Sequence, residues 1–372
     1  MKLVIDRNAL VKTLAHAQSV VERRNTIPIL ANLLLQADGQ NLSISATDMD
    51  IQIIETVPAT VSKSGSATAP AHTLYDIARK LPEGSQVELS LASGSPVLTV
   101  SGGRSNFKLG CLPVSDFPQI SSNDFTRRFT LAASELRNLI DRARFAMSME
   151  ETRYYLNGMY LHAARAGNVA VLRSVATDGH RLARVDMPLP EGAAEIPGVI
   201  IPRKTVTELR RLLDEDSNPV EVSVSDTKIQ FKFGNLRLTS KLIDGKYPDY
   251  EKAIPQANDN ILEINTRAFL AAVDRVSTVA SDKTRIIKCN VDGQTMMLSA
   301  SSAESGSAME EIEVRYDGPP LEIGFNARYL QDITGQIDGD ACQLRISDGS
   351  QPAILQDATD ASGVYVLMPM RA

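Results

Sequence analysis

The residues best suited to chemistry lie in residues 174 to 186, which read S-V-A-T-D-G-H-R-L-A-R-V-D. Asp178 and His180 stand two positions apart in this stretch. A carboxylate near an imidazole can act in general acid-base catalysis or bind a metal. Either role also needs a nucleophile or a further ligand within hydrogen-bond reach. The sequence indicates no cysteine, serine motif or second histidine for that position, so an enzyme that uses this pair is the weaker interpretation.

The favoured interpretation of the same stretch is architectural. An apolar strand that runs into a polar turn also occurs at residues 46 to 50 and 300 to 305, at similar spacing along the chain. A position that recurs in this way is more often part of the fold than a catalytic centre. We therefore expect Asp178 and His180 to belong to a strand, a turn and a second strand.

Motifs for catalysis and for metal binding are absent from the sequence. There is no G-x-x-x-x-G-K-[ST], H-E-x-x-H or G-x-S-x-G, and there are only four histidines. Cys111, Cys289 and Cys342 are far apart and form no C-x-x-C pair. Because three scattered cysteines suit neither a disulfide framework nor a zinc site, we expect no disulfide, no metal and no cofactor.

Length and composition are typical of a soluble globular protein of two or three domains. The chain has 372 residues, of which 43% are hydrophobic and 23% charged. No apolar run approaches the roughly 20 residues that cross a bilayer, and the strand-like M-K-L-V-I-D stands at the start, so we expect a cytosolic protein. The net charge of -6 argues mildly against tight wrapping of nucleic acid but allows segregated basic surfaces.

The elements that must position these residues follow an order that occurs three times. Each repeat is predicted to contain a helix, three strands, a second helix and three more strands. The predicted helix starts are Asp6, Ser134 and Asn265 for the first helices, and Pro70, Pro202 and Asn326 for the second helices. The period of about 120 to 132 residues is far longer than that of a solenoid, so each repeat should be a domain.

The predicted fold class is α+β, with three repeated domains at residues 1–124, 125–251 and 252–372. Two helices cannot cover both faces of six strands. Each domain is therefore expected to carry both helices on one side and antiparallel sheets on the other. Edge strands would pair with those of the neighbouring domain and make a continuous arc.

Basic residues are concentrated on the helix faces opposite the apolar stripes, although the chain as a whole is acidic. They are Lys12, Arg79, Lys80, Arg137, Arg142, Arg144, Arg203, Lys204, Arg210, Arg211, Arg267, Arg275 and Arg328. Solvated helix faces are the simple alternative. The shared bias of five or six helices favours a lining that attracts a phosphate backbone without reading bases, and it argues against a repeat scaffold with no role at DNA.

Four motifs together carry a resemblance to a known family. They are R-Y-Y-L-N-G-M at residues 153 to 159, A-T-D-G-H-R-L at 176 to 182, S-K-L-I-D-G-K-Y-P-D-Y at 240 to 250 and Y-V-L-M-P-M-R at 365 to 371. With the three-repeat layout, the chain closely resembles the bacterial DNA polymerase III beta subunit, the sliding clamp. The resemblance extends from the first residues to the last.

The resemblance implies a DNA-clamp fold and a non-catalytic function. Such clamps are head-to-tail homodimers that form a ring around duplex DNA, with helices lining the channel and sheets outside. They tether the replicative polymerase and other DNA-processing enzymes, which bind through short peptides between the second and third domains. A clamp loader opens the ring with ATP, which fits the absence of a phosphate loop in this chain.

The resemblance also implies positions for three kinds of site. The partner-peptide residues would be Leu156, Thr177, Gly179, His180, Arg181, Leu182, Pro248, Val366, Leu367, Met368, Pro369, Met370 and Arg371. The DNA-contacting residues, which include basic helix positions, would be Arg24, Arg79, Arg137, Tyr154, Arg203, Lys204 and Arg211. The dimer contacts would join Phe107 and Leu109 of one subunit to Thr278 and Val279 of the other.

These residue types suit an apolar peptide. Leucine, valine and methionine give adaptable apolar walls, Gly179 permits close backbone approach, and His180 and Arg181 are expected to form a polar rim. The sequence departs from the family at Lys252 and Ala253, where a basic and then an aliphatic residue are common, so one wall should be shallower. Residues 149 to 151 are more acidic than in relatives, which affects any contact of that loop with DNA.

Overall fold

The computed structural model describes residues 1 to 121, 124 to 214, 218 to 281 and 285 to 371. Its contacts divide the chain into two compact units. Unit 1 consists of Met1–Ser134, Pro190–Pro197 and Lys204–Leu242. Unit 2 consists of Glu135–Leu189, Gly198–Arg203 and Ile243–Ala372. The middle sequence repeat therefore contributes elements to both units.

The described residues form six α-helices, two in each sequence repeat. They are α1 (Arg7–Val20), α2 (Ala71–Lys80), α3 (Ala133–Arg144), α4 (Arg203–Leu213), α5 (Thr266–Ser277) and α6 (Ala327–Thr334). Buried residues recur at helical spacing on each, as with Leu10, Leu14 and Ala17 of α1. In unit 1 α1 packs against α2, and in unit 2 α5 packs against α6.

The predicted helix starts are confirmed at five of six positions. The side chains of Asp6, Asn265 and Asn326 each accept hydrogen bonds from first-turn backbone N–H groups, at 2.9 to 3.2 Å. The helices predicted to open at the two prolines begin at the residue after each proline. The cap predicted at Ser134 is wrong, because α3 begins at Ala133 and places Ser134 within its first turn.

Twenty-five strands are present in the described residues. The first repeat has β1 (Lys2–Asp6), β2 (Asn32–Asp38), β3 (Asn41–Thr47), β4 (Ile51–Pro58), β5 (Thr60–Lys63), β6 (Gly65–Pro70), β7 (Gln86–Leu91), β8 (Val97–Gly102) and β9 (Ser105–Gly110). The middle repeat has β10 (Arg127–Leu131), β11 (Gly158–Ala166), β12 (Val169–Thr177), β13 (Arg181–Pro188), β14 (Val199–Pro202), β15 (Val220–Val224), β16 (Lys228–Phe233) and β17 (Leu236–Lys241). The third repeat has β18 (Asn260–Asn265), β19 (Ile286–Asp292), β20 (Thr295–Ser302), β21 (Gly306–Arg315), β22 (Leu321–Asn326), β23 (Ala341–Ile346), β24 (Ala353–Asp357) and β25 (Gly363–Leu367).

The prediction of six strands in each repeat is wrong, because a further strand leads directly into each helix. These strands are β1, which the strand-like M-K-L-V-I-D had indicated, together with β6, β10, β14, β18 and β22, and the first repeat also has β5. Each of the six is only four to six residues long and has no turn residue between it and its helix. Without a turn residue, the alternating apolar pattern of so short a strand cannot be separated from the apolar pattern of the helix that follows it.

Unit 1 contains two antiparallel sheets. One has the order β5-β1-β7-β8-β9 and the other the order β10-β15-β16-β17-β4-β3-β2-β6. In the second sheet β17 of the middle repeat pairs with β4 of the first repeat, from Leu236 opposite Glu55 to Ser240 opposite Ile51. The predicted pairing of edge strands between neighbouring repeats is therefore confirmed within this unit.

Unit 2 is built on one sheet of twelve strands, with the order β14-β11-β12-β13-β25-β24-β23-β18-β21-β20-β19-β22. Here β13 of the middle repeat pairs with β25 of the third repeat, from Arg181 opposite Leu367 to Val185 opposite Gly363. This junction brings the start of β13 to the end of β25. It therefore joins two motifs that are nearly two hundred residues apart in the chain.

Candidate functional site

Residues 174 to 186 form the end of β12, a tight turn and β13. The Thr177 hydroxyl donates to the Arg181 carbonyl at 2.7 Å and accepts from the Gly179 N–H at 3.1 Å. Asp178 Oδ1 accepts from the N–H groups of His180 and Arg181 at 2.9 and 3.0 Å. The Asp178 carboxylate therefore closes the turn, and the architectural interpretation of this stretch is confirmed.

The same turn recurs in the first repeat. The Thr47 hydroxyl donates to the Ile51 carbonyl at 2.8 Å and accepts from the Met49 N–H at 3.0 Å. Asp48 Oδ1 accepts from the N–H groups of Asp50 and Ile51 at 2.9 and 2.8 Å. Met49 has a φ of 81°, matching the 87° of its counterpart, the glycine of the middle repeat.

The third repeat departs from this pattern, although the turn was expected to recur there. Its corresponding turn carries a single side-chain contact, in which the Ser305 N–H donates to the Ser302 hydroxyl at 2.9 Å. In the other two repeats a single aspartate Oδ1 accepts two backbone N–H groups, whereas the Ser302 hydroxyl accepts one here. The shared turn therefore belongs to two repeats, one in each unit.

Arg181 does not form the polar rim that was predicted for it. Its side chain is 10% exposed, and it donates to Asp178 Oδ2 at 3.1 Å, to the Phe145 carbonyl at 2.7 Å and to the Asp332 carboxylate. Its guanidinium carbon also lies 4.3 Å from the centre of the Tyr329 ring. A buried guanidinium requires such partners, so Arg181 ties β13 to α6 instead of facing solvent.

His180 remains at the surface beside these contacts. Its side chain is exposed, and its ring stacks on Tyr329 with centroids 6.4 Å apart. Its carbonyl accepts from the Met368 N–H at 2.9 Å, which fixes the start of the C-terminal segment against the turn. Gly179 beside it is also exposed, and a Cβ there would lie 2.7 Å from Arg153 Nη1.

The C-terminal motif divides into a buried and an accessible part. Val366 and Leu367 end β25 and are 3% and 0% exposed, so Leu367 cannot supply the accessible wall that was predicted for it. Met368 is 44% exposed, Pro369 and Met370 are half-buried, and residue 371 is exposed. The Met370 N–H donates to the Gly324 carbonyl at 2.8 Å, which anchors the segment.

An apolar cluster lies under this surface. It contains the predicted residues Leu156, Leu182 and Val366 and adds residues that the sequence interpretation missed, namely Val175, Ile200, Tyr247, Tyr250, Ile254, Ile354 and Val364. The two tyrosines flank the exposed Pro248 in the Y-P-D-Y motif, which was the available signal. We use the name candidate groove for His180, Pro248, Met368, Pro369 and Met370 above this cluster.

The predicted DNA-contacting residues of unit 1 differ in their exposure and in their ion pairs. Arg24 is exposed, and Arg79 is 54% exposed with a surface ion pair to Asp76 at 3.1 Å. The Lys204 ammonium donates to Glu22 at 3.2 Å and to the Asp48 carboxylate. Burial lowers the pKa of Lys204, but these two carboxylates outweigh burial and raise it, so this charge is already compensated.

Arg211, also in unit 1, lies against helix side chains. It donates to the Ser19 hydroxyl at 2.8 Å and to Glu208 at 3.3 Å. The Nε group of Arg211 also donates to Glu208 Oε2 at 3.3 Å, and the Arg211 side chain is 36% exposed.

Among the predicted DNA-contacting residues of unit 2, Arg203 makes hydrogen bonds within the fold. Arg203 donates to the carbonyls of Met147 and Ser148, the latter at 3.0 Å, and burial lowers the pKa of its guanidinium. Arg137 is half-buried on α3. Tyr154 is 53% exposed and meets Tyr155 edge-on at 5.7 Å, so its ring is available for stacking.

Arg142 was predicted among the basic residues that lie opposite the apolar stripes and attract a phosphate backbone, and this prediction is wrong. Its side chain is 11% exposed and donates to Asp360 Oδ2 at 3.0 Å, to the Ser362 hydroxyl at 2.8 Å and to the Tyr365 hydroxyl at 3.2 Å. These partners precede or lie on β25. Helical spacing alone could not reveal a partner more than two hundred residues away in the chain.

Two of the predicted dimer residues lie on an edge strand, and the other two directly follow a helix. Phe107 is half-buried and Leu109 is 8% exposed on β9, the last strand of its sheet. Thr278 and Val279 directly follow α5 and are exposed and half-buried. In unit 2, β21 pairs with β20 along its length but with β18 only at Val314 and Arg315, which leaves an open edge.

No helix in residues 1 to 121, 124 to 214, 218 to 281 and 285 to 371 is long and apolar enough to cross a membrane. In the same ranges, no three of His, Cys, Asp and Glu lie where they could hold a metal ion together.

Comparison with protein-family models finds three consecutive matches. Residues 1–121 match the N-terminal domain of the DNA polymerase III beta subunit, residues 130–249 its central domain and residues 251–371 its C-terminal domain. Among curated proteins, the beta sliding clamp of Caulobacter vibrioides is 52% identical over 371 residues, and that of Escherichia coli is 35% identical over 372 residues. In both cases 100% of each chain is covered.

Solved structures agree. A C. crescentus beta sliding clamp with polyethylene glycol bound to a putative beta-motif tethering region has a TM-score of 0.98 and 52% identity, and covers 100% of this chain and 99% of that one. A DnaN sliding clamp from Bartonella birtlesii bound to griselimycin has a TM-score of 0.97 and 45% identity, with 100% of both chains covered.

Proposed function

The chain belongs to the DNA polymerase III beta subunit family, the beta sliding clamps, and from this premise we propose which of its residues perform the clamp's tasks. It is a DNA sliding clamp, a non-catalytic processivity factor of DNA replication. The observation that carries this function is the run of three consecutive family matches over nearly the whole chain. As proposed domain boundaries we keep 1–124, 125–251 and 252–372.

Partner proteins would bind at the candidate groove. Its exposed Met368 and half-buried Met370 lie above a buried apolar cluster, and such a surface suits the apolar side chains of an extended peptide. Relatives of this chain have been solved with griselimycin bound, so that compound is a useful probe. The polymerase catalytic subunit and other clamp-binding proteins would compete for this groove.

Duplex DNA would be held loosely through its phosphates. Arg24, Arg79 and Tyr154 have the most exposed ends among the candidate residues, whereas Lys204 and Arg203 already have partners. Long-range attraction from scattered cations such as Arg24 and Arg79, without base contacts, permits sliding along any sequence. Replication proteins of this kind act on the chromosome, so the proposed location is the bacterial cytoplasm.

A second copy of the chain would close the ring. The free edge of β9 carries Lys108 with Arg104 just before it, and the open edge of β21 carries Glu311 and Glu313. Unpaired strand edges of opposite charge suit head-to-tail pairing between two copies. A separate ATP-dependent loader would open this ring, since the clamp itself has no nucleotide-binding motif.

The experiment that tests topological binding compares closed circular DNA with the same DNA after linearisation. The loader and ATP are supplied, and clamp retained on DNA is measured by gel filtration. We expect retention on the circle and loss from the linear form, because a ring slides off free ends. A clamp that stayed equally on both forms would show that it binds DNA by direct contact and not by encirclement.

A further inference from the structure

A buried charged network lies beneath the candidate groove in unit 2. The Arg173 side chain is 3% exposed, and it contacts the Asp186 carboxylate at two points, Nε to Oδ1 at 2.6 Å and Nη2 to Oδ2 at 2.9 Å. Its Nη1 donates to the Tyr250 hydroxyl and to Glu251 Oε1, each at 3.1 Å. Arg173 and Asp186 are cross-strand neighbours on β12 and β13, so the sheet holds the pair and the pair holds Tyr250.

The Tyr250 hydroxyl has one orientation in this network. His162 Nδ1 lies 3.0 Å from the Ala163 carbonyl and so carries the ring proton. Burial lowers the pKa of the His162 imidazole, which keeps the ring neutral and leaves Nε2, 3.1 Å from the Tyr250 hydroxyl, as an acceptor. Tyr250 therefore donates to His162 and accepts from Arg173.

The segment that contains Tyr250 also contains the exposed wall of the groove. Tyr247 and Tyr250 are both 7% exposed, and Pro248 stands exposed between them. The Tyr247 ring stacks on Tyr160 at 4.7 Å, and Tyr160 stacks in turn on His162 at 4.6 Å. Both tyrosines belong to the apolar cluster under the groove, so the network fixes this wall from below.

Unit 1 builds the same local fold without these charges. Arg173 lies four residues before the turn threonine of the middle repeat, and Asp186 lies nine residues after it. At the same distances from Thr47, the turn threonine of the first repeat, the sequence has Ser43 and Thr56. Ser43 and Thr56 are also cross-strand neighbours. The strand pair and the turn therefore form without a buried arginine.

The linker repeats as well. Phe117 and Pro118 correspond to the tyrosine and proline of the Y-P-D-Y motif, and Ile120 stands where that motif ends in Tyr250. Phe117 is buried in an apolar cluster of unit 1, together with Leu30. The first linker thus packs without a hydroxyl, and of these two described linkers the one beside the candidate groove carries the charged network.

We propose that Arg173 and Asp186 are positioning residues of the partner groove, which act through the Tyr250 hydroxyl to set the position of Pro248 for an incoming peptide. The inference rests on the proposed function of the candidate groove. A buried ion pair contributes little net stability compared with apolar residues of similar size, so its presence at one repeat junction fits a role in geometry. The network would lower the cost of ordering the wall when a peptide binds.

The test uses the full-length chain and a fluorescein-labelled peptide copied from the clamp-binding segment of the polymerase catalytic subunit, with griselimycin as a second ligand. Two variants disrupt the network. Tyr250→Phe removes only the hydroxyl, and the double variant R173S/D186T installs the pair that unit 1 already uses. We expect the Kd to rise about fivefold for Tyr250→Phe and about tenfold for R173S/D186T, through faster dissociation.

A matched control comes from a buried tyrosine of the same unit that lies outside the network. The Tyr316 hydroxyl donates to the Pro319 carbonyl at 2.7 Å, so Tyr316→Phe removes one buried hydroxyl and should leave the Kd unchanged. Amide hydrogen exchange adds a readout that a purely structural role would not move, since residues 244 to 254 should exchange faster in R173S/D186T while β25 keeps its protection. If R173S/D186T fails to fold, Tyr250→Phe decides alone.

The outcomes separate this inference from the proposed function. Wild-type affinity in Tyr250→Phe, together with loss of binding after deletion of residues 368 to 372, would leave the groove in place and overturn the inference. Unchanged affinity after that deletion would mean that the peptide binds elsewhere, and both proposals would fall. Slower binding and an altered melting temperature without faster dissociation would also overturn it, because that pattern describes general destabilisation.

Discussion

At the scale of single residues, the repeated turn shows how one backbone conformation tolerates different side chains. Gly179 and Met49 both have positive φ values, 87° and 81°. A Cβ at Gly179 would lie 2.7 Å from Arg153 Nη1, the flexible end of a 47% exposed side chain that can shift, and Met49 is 45% exposed and has room for its side chain. Glycine is therefore favoured in one turn by the backbone conformation, and the other turn carries a strained methionine.

Replacing Met49 by glycine should raise the free energy of unfolding by about 0.5 to 1 kcal/mol. Relief of left-handed strain, about 1–2 kcal/mol, exceeds the added entropy of a glycine in the unfolded chain. Gly179→Ala is the matched opposite and should lower stability by about 1 kcal/mol or more. Urea unfolding measures both, and a less stable Met49→Gly would show that the methionine side chain makes a contact worth more than the strain.

At the scale of elements, the site depends on β25 and the residues that follow it. β25 is held by β13 and β24, and Arg142 on α3 holds the residues before it through Asp360 and Ser362. The accessible segment after the strand has two backbone hydrogen bonds, from Met368 to His180 and from Met370 to Gly324. The strand is thus secured independently of the segment that would contact a partner.

Deletion of residues 368 to 372 should abolish binding of the polymerase-derived peptide while the fold persists. The loss of two backbone hydrogen bonds should cost about 1 to 3 kcal/mol of stability, since each contributes about 0.5–1.5 kcal/mol. Fluorescence anisotropy measures the first effect and thermal unfolding the second. Val169→Ala is the control, because Val169 is 62% exposed on β12 and is not among the predicted partner-peptide residues. A deletion that still bound the peptide would remove this segment from the groove.

How far the sequence predicts the elements depends on how clearly each one is bounded. The helix α4 begins directly after Pro202, the residue that marks its predicted start, and β16 has a clear strand signal because K-I-Q-F-K-F alternates strictly. β6, which reads G-S-A-T-A-P, and β14 give no such signal. In the site, the contiguous motif residues were predicted, but Arg173 and Tyr250 were not, because partners 77 residues apart leave no local pattern.

At the scale of the whole molecule, the open edges of β9 and β21 are the features that a second copy would use. Phe107 on β9 is only half-buried in the single chain. A large aromatic residue on an edge strand that lacks a partner is a hazard for a monomer and a natural contact for a dimer. The proposed ring therefore explains why the outer edge of β9 is not paired with another strand of its own sheet.

Phe107→Glu should convert the dimer to a monomer of half the mass, because a buried unpaired carboxylate opposes association. Light scattering after gel filtration measures the mass directly. Val169→Glu serves as the control, because Val169 is 62% exposed on a strand in unit 2 and lies outside the proposed interface. A monomeric wild-type chain, or a dimeric Phe107→Glu variant, would contradict the proposed interface.

The division of the middle repeat between two compact units has a consequence for modularity. The boundaries of the sequence repeats do not coincide with the boundaries of the compact units. Within the middle repeat, β17 pairs with β4 in one sheet, whereas β13 pairs with β25 in another. A fragment cut at the sequence boundaries would expose both β13 and β17 as bare edges, prone to self-association. Chimeras between related clamps should therefore exchange whole sheets, with crossovers placed inside the middle repeat and not at its ends.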